Sequence, residues 1–522
     1  MSWRDISPMP KILIDDLAVE ATQGLTILQA AENAGLAIPH FCYHPAFAPE
    51  GSCRMCLVEI EGLPKLELAC STIVKEGLKV RTMSQKVVEA RKGVLEFLLA
   101  EHPLDCPICD KAGECKLQDY FEEYGLFRSQ FKEEKEKREK KFRLSRNLIL
   151  DRERCILCTR CVRFLNEITK TEDAGILNRG IHSEVGIFES EIIDNNYSGN
   201  LAQICPVGAI TDSDFRFKTR VWFLQSKKSI CPLCSRGCNI TIDSHPGFPR
   251  LPRGRRVYRV RACFNPDINS HWICDHGRYG YAYLDEGRQD KLVWKKGGRE
   301  TGLSWGKAAQ NLAEKIRSLI QSKKGSRIGV ILHTNLTNEE LFLADRFFRK
   351  GLGIENFFVA DPPPEKGDGF LLTAERTANR RGLQEVGLAF QRPDSSGLAG
   401  FDILLIFGHY LAASTDPADL RRAFERVETK ALFASHKSAL DELVDFIIPV
   451  PAIAEKSGSL TNLDGRVQPF RSGLDYVGDG LPEWKVFLDL AKELQVEPVF
   501  SGPLASPEAV FRILQEEVPF FK

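Results

Sequence analysis

At 522 residues the chain is long enough for three or more domains with ordinary cores, which excludes a disulfide-stapled mini-protein. Lys plus Arg number 71 and Asp plus Glu number 71, so no net field exists to hold a polyanion, and nucleic acid is not an expected partner. The opening MSWRDISPMPKILID lacks the basic segment, apolar core and small-residue cleavage site of an export signal, and no apolar run approaches the roughly 20 residues that cross a bilayer. The thiols are therefore expected to stay reduced, and any membrane contact to run through partner proteins.

The first stretch of the chain reads as a small mixed domain. Strands are expected at 11–14, 57–60 and 78–82. Thr26 and Gln29 make a capping-box pair ahead of a helix over 27–34, which Gly35 is placed to end. That order of elements is ferredoxin-like. Val87, Val88, Val94, Leu95, Leu98 and Leu99 recur at helical spacing, so 86–101 is expected as an amphipathic helix that stops before Pro103 and delivers His102 at its end. The run KEEKEKREKK over 132–141 pairs Glu133 with Lys137 and Glu136 with Lys140, and reads as a solvated helix face. Beyond about residue 290, helices at 308–320, 339–348 and 420–427 alternate with apolar strands at 328–332, 356–360, 403–407 and 431–434. Such alternation predicts a parallel sheet covered by helices on both faces.

The 16 cysteines all lie at or before Cys274. In a reducing compartment, such clustering points to metal or catalysis and away from disulfides. The first set is Cys42, Cys53, Cys56 and Cys70, a spacing suited to a two-iron cluster wrapped by one loop, with the last ligand returning from a distant strand. Gly51 lets the backbone of that loop come close to inorganic sulfide. The second set is His102, Cys106, Cys109 and Cys115 in HPLDCPICDKAGEC, where the histidine stands where a fourth thiolate is missing. A neutral imidazole there makes the site less negative, which favours the reduced cluster. The third set, Cys155, Cys158 and Cys161 with Cys205 in ICPVGAIT, follows the bacterial ferredoxin pattern. Because 162–166 read VRFLN and 197–204 read YSGNLAQI, it provides for only one cubane. The fourth set is Cys231, Cys234 and Cys238, with Cys274 as fourth ligand and Cys263 as its rival. Zinc is the alternative occupant at the first and fourth sets.

The strings HFCYHP, GSCRMCLVEI, AEHPLDCPICDKAGECKLQD, RCILCTRCVRF, GNLAQICPVGAIT, CPLCSRGC and ICDHGRYGY resemble the G-subunit family of bacterial NADH-quinone oxidoreductase, respiratory complex I, known in mitochondria as its largest iron-sulfur subunit. A weaker likeness, EKSGSLTNLDGRVQ over 455–468, is similar to a segment of the molybdopterin-oxidoreductase fold. The resemblance implies an α+β then α/β chain in five segments. These are a plant-type ferredoxin-like [2Fe-2S] domain over 9–86, a [4Fe-4S] domain with one histidine and three cysteine ligands over 87–126, a [4Fe-4S] ferredoxin-like region over 142–220, a four-cysteine [4Fe-4S] domain over 225–290, and a trimmed, molybdenum-free, doubly wound parallel-sheet domain over 291–522. It also implies one [2Fe-2S] cluster on the Cys42 set and [4Fe-4S] clusters on the other three. Electrons would come from a flavin- and NADH-binding subunit, travel from the Cys42 set to the Cys155 set and then the His102 set, and leave toward a quinone-proximal iron-sulfur subunit. The Cys231 set would lie off that line. The whole complex would translocate protons from a peripheral arm on the cytoplasmic face of the inner membrane.

No Gly-x-Gly-x-x-Gly opens a helix after a strand with an acidic residue about 20 positions on, so flavin and nicotinamide are expected in a partner and no complete active site in this chain. No thiolate follows Cys274 to hold molybdenum, and the glycines of RKGLGIEN read as a helix end. The competing enzymatic reading is the electron-transfer subunit of an NAD-linked hydrogenase or formate dehydrogenase.

Overall fold

The computed structural model describes residues 9–125, 128–188, 192–245, 255–296, 299–388, 391–476, 478–496, 504 and 506–522. Residues 1–8, which enter the reading that an export signal is absent, lie outside them. The chain divides into two compact units, Met1–Leu224 and Gln225–Lys522.

The first unit opens with β1 (Lys11–Ile14), β2 (Leu17–Glu20), α1 (Ile27–Asn33), β3 (Leu57–Ile60), β4 (Glu67–Leu68) and β5 (Lys79–Arg81). The sheet order is β2-β1-β5-β3-β4, with β1 and β5 parallel and the other pairs antiparallel. Ile12, Ile14, Val58, Ile60 and Val80 turn inward against Ile27 and Leu28 of α1. The expected capping box is present: Thr26 Oγ1 accepts from Gln29 N at 3.3 Å, and Gln29 Oε1 accepts from Thr26 N at 3.0 Å.

Two further helices follow, α2 (Gln85–Glu101) and α3 (Lys116–Tyr124). Arg91 of α2 is fully buried and donates to Tyr124 Oη at 3.1 Å and Leu57 O at 3.3 Å, which ties both helices to β3. The charged run 132–141 is not helical. Lys135 Nζ instead donates to the free carbonyls of Leu99, Ala100 (3.1 Å) and His102 (2.8 Å) at the end of α2, and Lys140 pairs with Asp105 and Asp151. Orphan carbonyls at a helix end outcompete i,i+4 pairs worth only a few tenths of a kcal/mol.

The rest of the unit holds β6 (Phe142–Arg143), β7 (Leu148–Leu150), α4 (Arg160–Arg163), the hairpin β8 (Ala174–Leu177) and β9 (Glu184–Ile187), α5 (Asn200–Ile204) and β10 (Ile210–Asp212). A three-stranded antiparallel sheet, β10-β7-β6, backs the loops that carry the third ligand set.

The second unit starts with the antiparallel sheet β11 (Gln225–Ile230), β12 (Asn239–Ser244) and β13 (Val257–Ala262), followed by α6 (Asp275–Tyr279). Its larger part contains β14 (Val293–Lys296), β15 (Arg299–Gly302), α7 (Trp305–Gln321), β16 (Ile328–Leu332), α8 (Asn338–Ala344), β17 (Phe357–Val359), β18 (Ile403–Phe407), β19 (Thr429–Ala434) and β20 (Phe446–Pro449). The strand order is β15-β14-β20-β19-β18-β16-β17, parallel from β17 to β20. Alternate residues enter different cores, as a sheet covered on both faces requires. Val330, Leu405 and Phe433 join α7 and α8, whereas Ile331, Leu404 and Leu432 join Leu420 and Phe424. The departure from a wholly parallel sheet is the edge hairpin β14–β15, where Trp294 stacks on Phe446 at 5.8 Å. The helix expected at 420–427 begins earlier, at Pro417, because Asp416 caps the N–H groups of Ala418 and Asp419 and proline suits a first helical position.

The segment 455–468 packs against α8. Ser459 N donates to Glu339 Oε2 at 2.9 Å, and Lys456 Nζ sits between Glu340 (2.8 Å) and Glu483 (3.0 Å), all three buried. Among the described residues no helix is long and apolar enough to cross a membrane.

Candidate metal centres

The first set sits on the loop between α1 and β3, with Cys70 returning after β4. Its thiols fall into two hydrogen-bonded pairs, Cys42 with Cys53 and Cys56 with Cys70. The bond from Cys53 holds the Cys42 thiol down to about 5, and the same bond, with burial, pushes Cys53 up. Cys70 is lowered and Cys56 raised in the same way. Two thiol pairs suit two irons, each taking two sulfur ligands. Gly51 (φ +71°) and Arg54 (φ +59°) take left-handed conformations that bend the loop around this point.

The third set lines one small cavity. Cys155, Cys158, Cys161 and Cys205 face it together with Leu150, Ile156, Val185, Val207, Ala209 and Ile210. Burial pushes the Cys155 thiol up to about 12 and Cys158 up to about 11, and raises Cys161. An apolar pocket walled by four thiols fits a cluster that brings its own iron charge to ionise them. Leu157 and Thr159, between these cysteines, have φ of +51° and +60°, conformations costly for branched side chains and tolerated where a site dictates the loop.

The second set runs from His102, which caps the end of α2, to Cys115, which starts α3. His102 Nδ1 is buried without a hydrogen-bond partner, and burial lowers the ring to about 4, so it stands neutral. An orphaned nitrogen on a neutral imidazole fits a metal ligand. His102 shares two neighbours, Asp105 and Arg154, with Cys109. Cys109 and Cys115 are buried, with Cys115 raised to about 11 by desolvation, while Cys106 is exposed.

Gly208, in the loop after Cys205, is a residue that spacing alone did not single out. A Cβ there would lie 2.2 Å from Cys109 Sγ, so the second and third sets meet at this glycine. Gly208→Ala is expected to weaken cluster retention at the His102 set by roughly 10–100-fold, the usual effect of a displaced outer-shell group. Iron content and the corresponding EPR signal measure this, and the binuclear signal should persist.

The first and third sets also adjoin. Cys158 lies in the field of Cys42, and Arg163 donates to the carbonyls of Cys42, Ala48 (2.9 Å) and Cys158 (3.5 Å). Arg154 joins the third set to the second through Asp105, at 2.6 and 3.0 Å. Within this unit the Cys155 set thus adjoins both the Cys42 set and the loop that carries Cys109.

In the second unit, Cys231, Cys234, Cys238 and Cys274 are all buried, and the field of Cys274 acts on both Cys231 and Cys238. Cys274 Sγ accepts from Gly277 N at 3.3 Å, and a Cβ at Gly277 would stand 3.2 Å from Cys231 Sγ. Cys263 lies elsewhere, in the wall of a groove with Lys228, Asn265 and Gln468. Among the described residues no three His, Cys, Asp or Glu side chains meet closely enough to hold a single metal ion.

Three family models match the chain. "2Fe-2S iron-sulfur cluster binding domain" covers residues 8–85, "NADH-ubiquinone oxidoreductase-G iron-sulfur binding region" covers 91–130, and "NADH-quinone oxidoreductase subunit 3, ferredoxin-like domain" covers 147–211. The G subunit of NADH-quinone oxidoreductase from Rickettsia bellii is 39% identical over 351 residues, 67% of this chain and 50% of that protein. The corresponding G subunit from Streptomyces coelicolor is 38% identical over 65% of this chain and 39% of its own length. The NADH-ubiquinone oxidoreductase 75 kDa subunit of Reclinomonas americana is 37% identical over 70% and 52%. The chain thus spans about half the length of the curated relatives it matches. Among solved structures, an NAD+-reducing [NiFe]-hydrogenase in the H2-reduced state is 33% identical with a TM-score of 0.37, over 41% of this chain and 91% of that one. Over two thirds of its length this chain is a homologue of the G subunit of NADH-quinone oxidoreductase, with a [2Fe-2S] binding domain followed by [4Fe-4S] binding regions.

Proposed function

We propose that the chain is a one-electron relay subunit of a proton-translocating NADH-quinone oxidoreductase. The Cys42, Cys53, Cys56 and Cys70 thiolates would hold a [2Fe-2S] cluster. His102 with Cys106, Cys109 and Cys115 would hold a [4Fe-4S] cluster, as would Cys155, Cys158, Cys161 and Cys205, and also Cys231, Cys234, Cys238 and Cys274. The observation that carries the reading is the contiguity of three ligand sets in one compact unit, joined by Arg163, which bonds the carbonyls of Cys42 and Cys158, and at Gly208–Cys109. Iron-sulfur clusters, when bound, supply one-electron oxidation and reduction, and neighbouring sites in line are what a relay needs.

The protein's own contribution is burial, charge and hydrogen bonding around each site. Partners would be a flavin- and NADH-binding subunit on one side and a quinone-proximal iron-sulfur subunit on the other, in the peripheral arm on the cytoplasmic face of the inner membrane. The α/β domain of the second unit would serve as a scaffold free of molybdenum.

Anaerobic reconstitution of the chain with iron and sulfide, followed by metal analysis and redox-titrated EPR at low temperature, tests this. One binuclear and three tetranuclear signals are expected. A folded chain that takes up no iron overturns the reading, and two tetranuclear signals with one zinc would reassign the Cys231 set as structural.

A further inference from the structure

Arg160 stands at the junction of the Cys42 and Cys155 sets. It opens α4 between Cys158 and Cys161, and its guanidinium reaches both ways. Nη1 donates to Ile204 O, beside Cys205, at 3.1 Å, and Nη2 donates to Tyr43 O, beside Cys42. Its Nε is buried without a partner. Among the described residues no carboxylate pairs with Arg160. The thiols whose charge acts on it most are Cys158 and Cys205 of one set and Cys42 and Cys53 of the other, with His40 and Tyr120 also in its field.

The neighbouring arginines differ. Arg163 has Glu50 at 4.0 Å, and Arg154, at the next junction, is neutralised by Asp105 at 2.6 Å and Asp151 at 3.4 Å. A desolvated guanidinium cannot shed its proton, and leaving it without a counter-charge is costly. Thiolates ionised by bound clusters are the counter-charge this position provides.

We infer that Arg160 is a positioning residue of the relay: its unneutralised charge is shared between the Cys42 and Cys155 sets and raises the reduction potential of both clusters together, while its two carbonyl bonds hold the sets in register. Reduction adds negative charge at each cluster, so a fixed cation nearby favours the reduced form, and a unit charge within a few ångström in protein has a large effect. Arg154 exerts less of this influence because its carboxylates cancel its field. The electron is stabilised more at the first junction than at the second.

This rests on the reading that both sets hold clusters, and one preparation separates the two claims. The full chain, Arg160→Gln and Arg160→Lys are reconstituted with iron and sulfide, and iron content is measured beside redox-titrated EPR. In R160Q, with iron retained, the binuclear signal and the tetranuclear signal lost on Cys205→Ser should both move to lower potential by about tenfold in the reduction equilibrium, which is about 59 mV for one electron. R160K, which keeps the charge, should hold both near the parent values.

Unmoved potentials in an iron-loaded R160Q overturn the inference, as does an R160K displaced as far as R160Q. If R160Q takes up no iron at these sets, full loading of R160K supports the need for charge, and equal failure of R160K overturns it in favour of the carbonyl bonds alone. An iron-free parent chain sinks the relay reading itself.

Discussion

Cys205→Ser is expected to abolish the tetranuclear signal of the Cys155 set while the binuclear signal of the Cys42 set survives. The four thiols of that set share one apolar cavity, so loss of one leaves an iron without a soft ligand in a place where water cannot readily replace it. The cost in cluster affinity should exceed the roughly 10–100-fold that outer-shell changes produce. Because the Cys155 set adjoins both other sets of its unit, electron passage from the Cys42 end to the His102 end should also slow. Cys263→Ser is the matched control: this thiol borders a groove that none of the other cysteines lines, and its loss should leave iron content unchanged. Equal iron loss in both variants would contradict the ligand assignment.

Lys456→Met should destabilise the second unit by about 3–5 kcal/mol, the range for breaking a buried ion pair from one side. Its ammonium bridges Glu340 and Glu483, whose side chains are 1% and 2% exposed. One ammonium cannot neutralise two carboxylates. Burial, with Glu340 nearby, accordingly pushes Glu483 up to about 8, while the two carboxylates raise Lys456 despite its own desolvation. A carboxyl raised in the folded state contributes stability that is complete below its unfolded value of 4.5 and is lost as pH climbs through its folded value. Without the lysine Glu483 loses the cation that holds it down and is driven further up, so the deficit of the variant should widen between about pH 5 and 8. Denaturant unfolding at several pH values measures this. A pH-independent loss under about 1 kcal/mol would contradict it, and K456M/E340Q/E483Q, which removes all three charges, should regain most of the stability.

The sequence by itself determined which residues are proposed for each ligand set, because thiolate spacing is a local property: two-residue gaps place thiols on one loop wherever that loop lies. It also determined that β16, β18 and β19 are buried on both faces, since continuous apolar runs have only a two-sided burial to satisfy. The capping box of α1 was legible for the same local reason. What tertiary structure alone decided were relations between segments far apart in the chain. Cys274 over Cys263 as companion of Cys231 depends on how α6 packs beside the Cys231 loop. The fate of 132–141 turned on the empty carbonyls at the end of α2, which no helical periodicity could reveal. Gly208 matters because Cys109, 99 positions earlier, arrives against it, and Arg160 matters because the end of α5 and the loop after α1 present their carbonyls to one guanidinium. Short-range chemistry can be read along the chain, whereas the fields and contacts that set the character of each site come from residues that only folding makes neighbours.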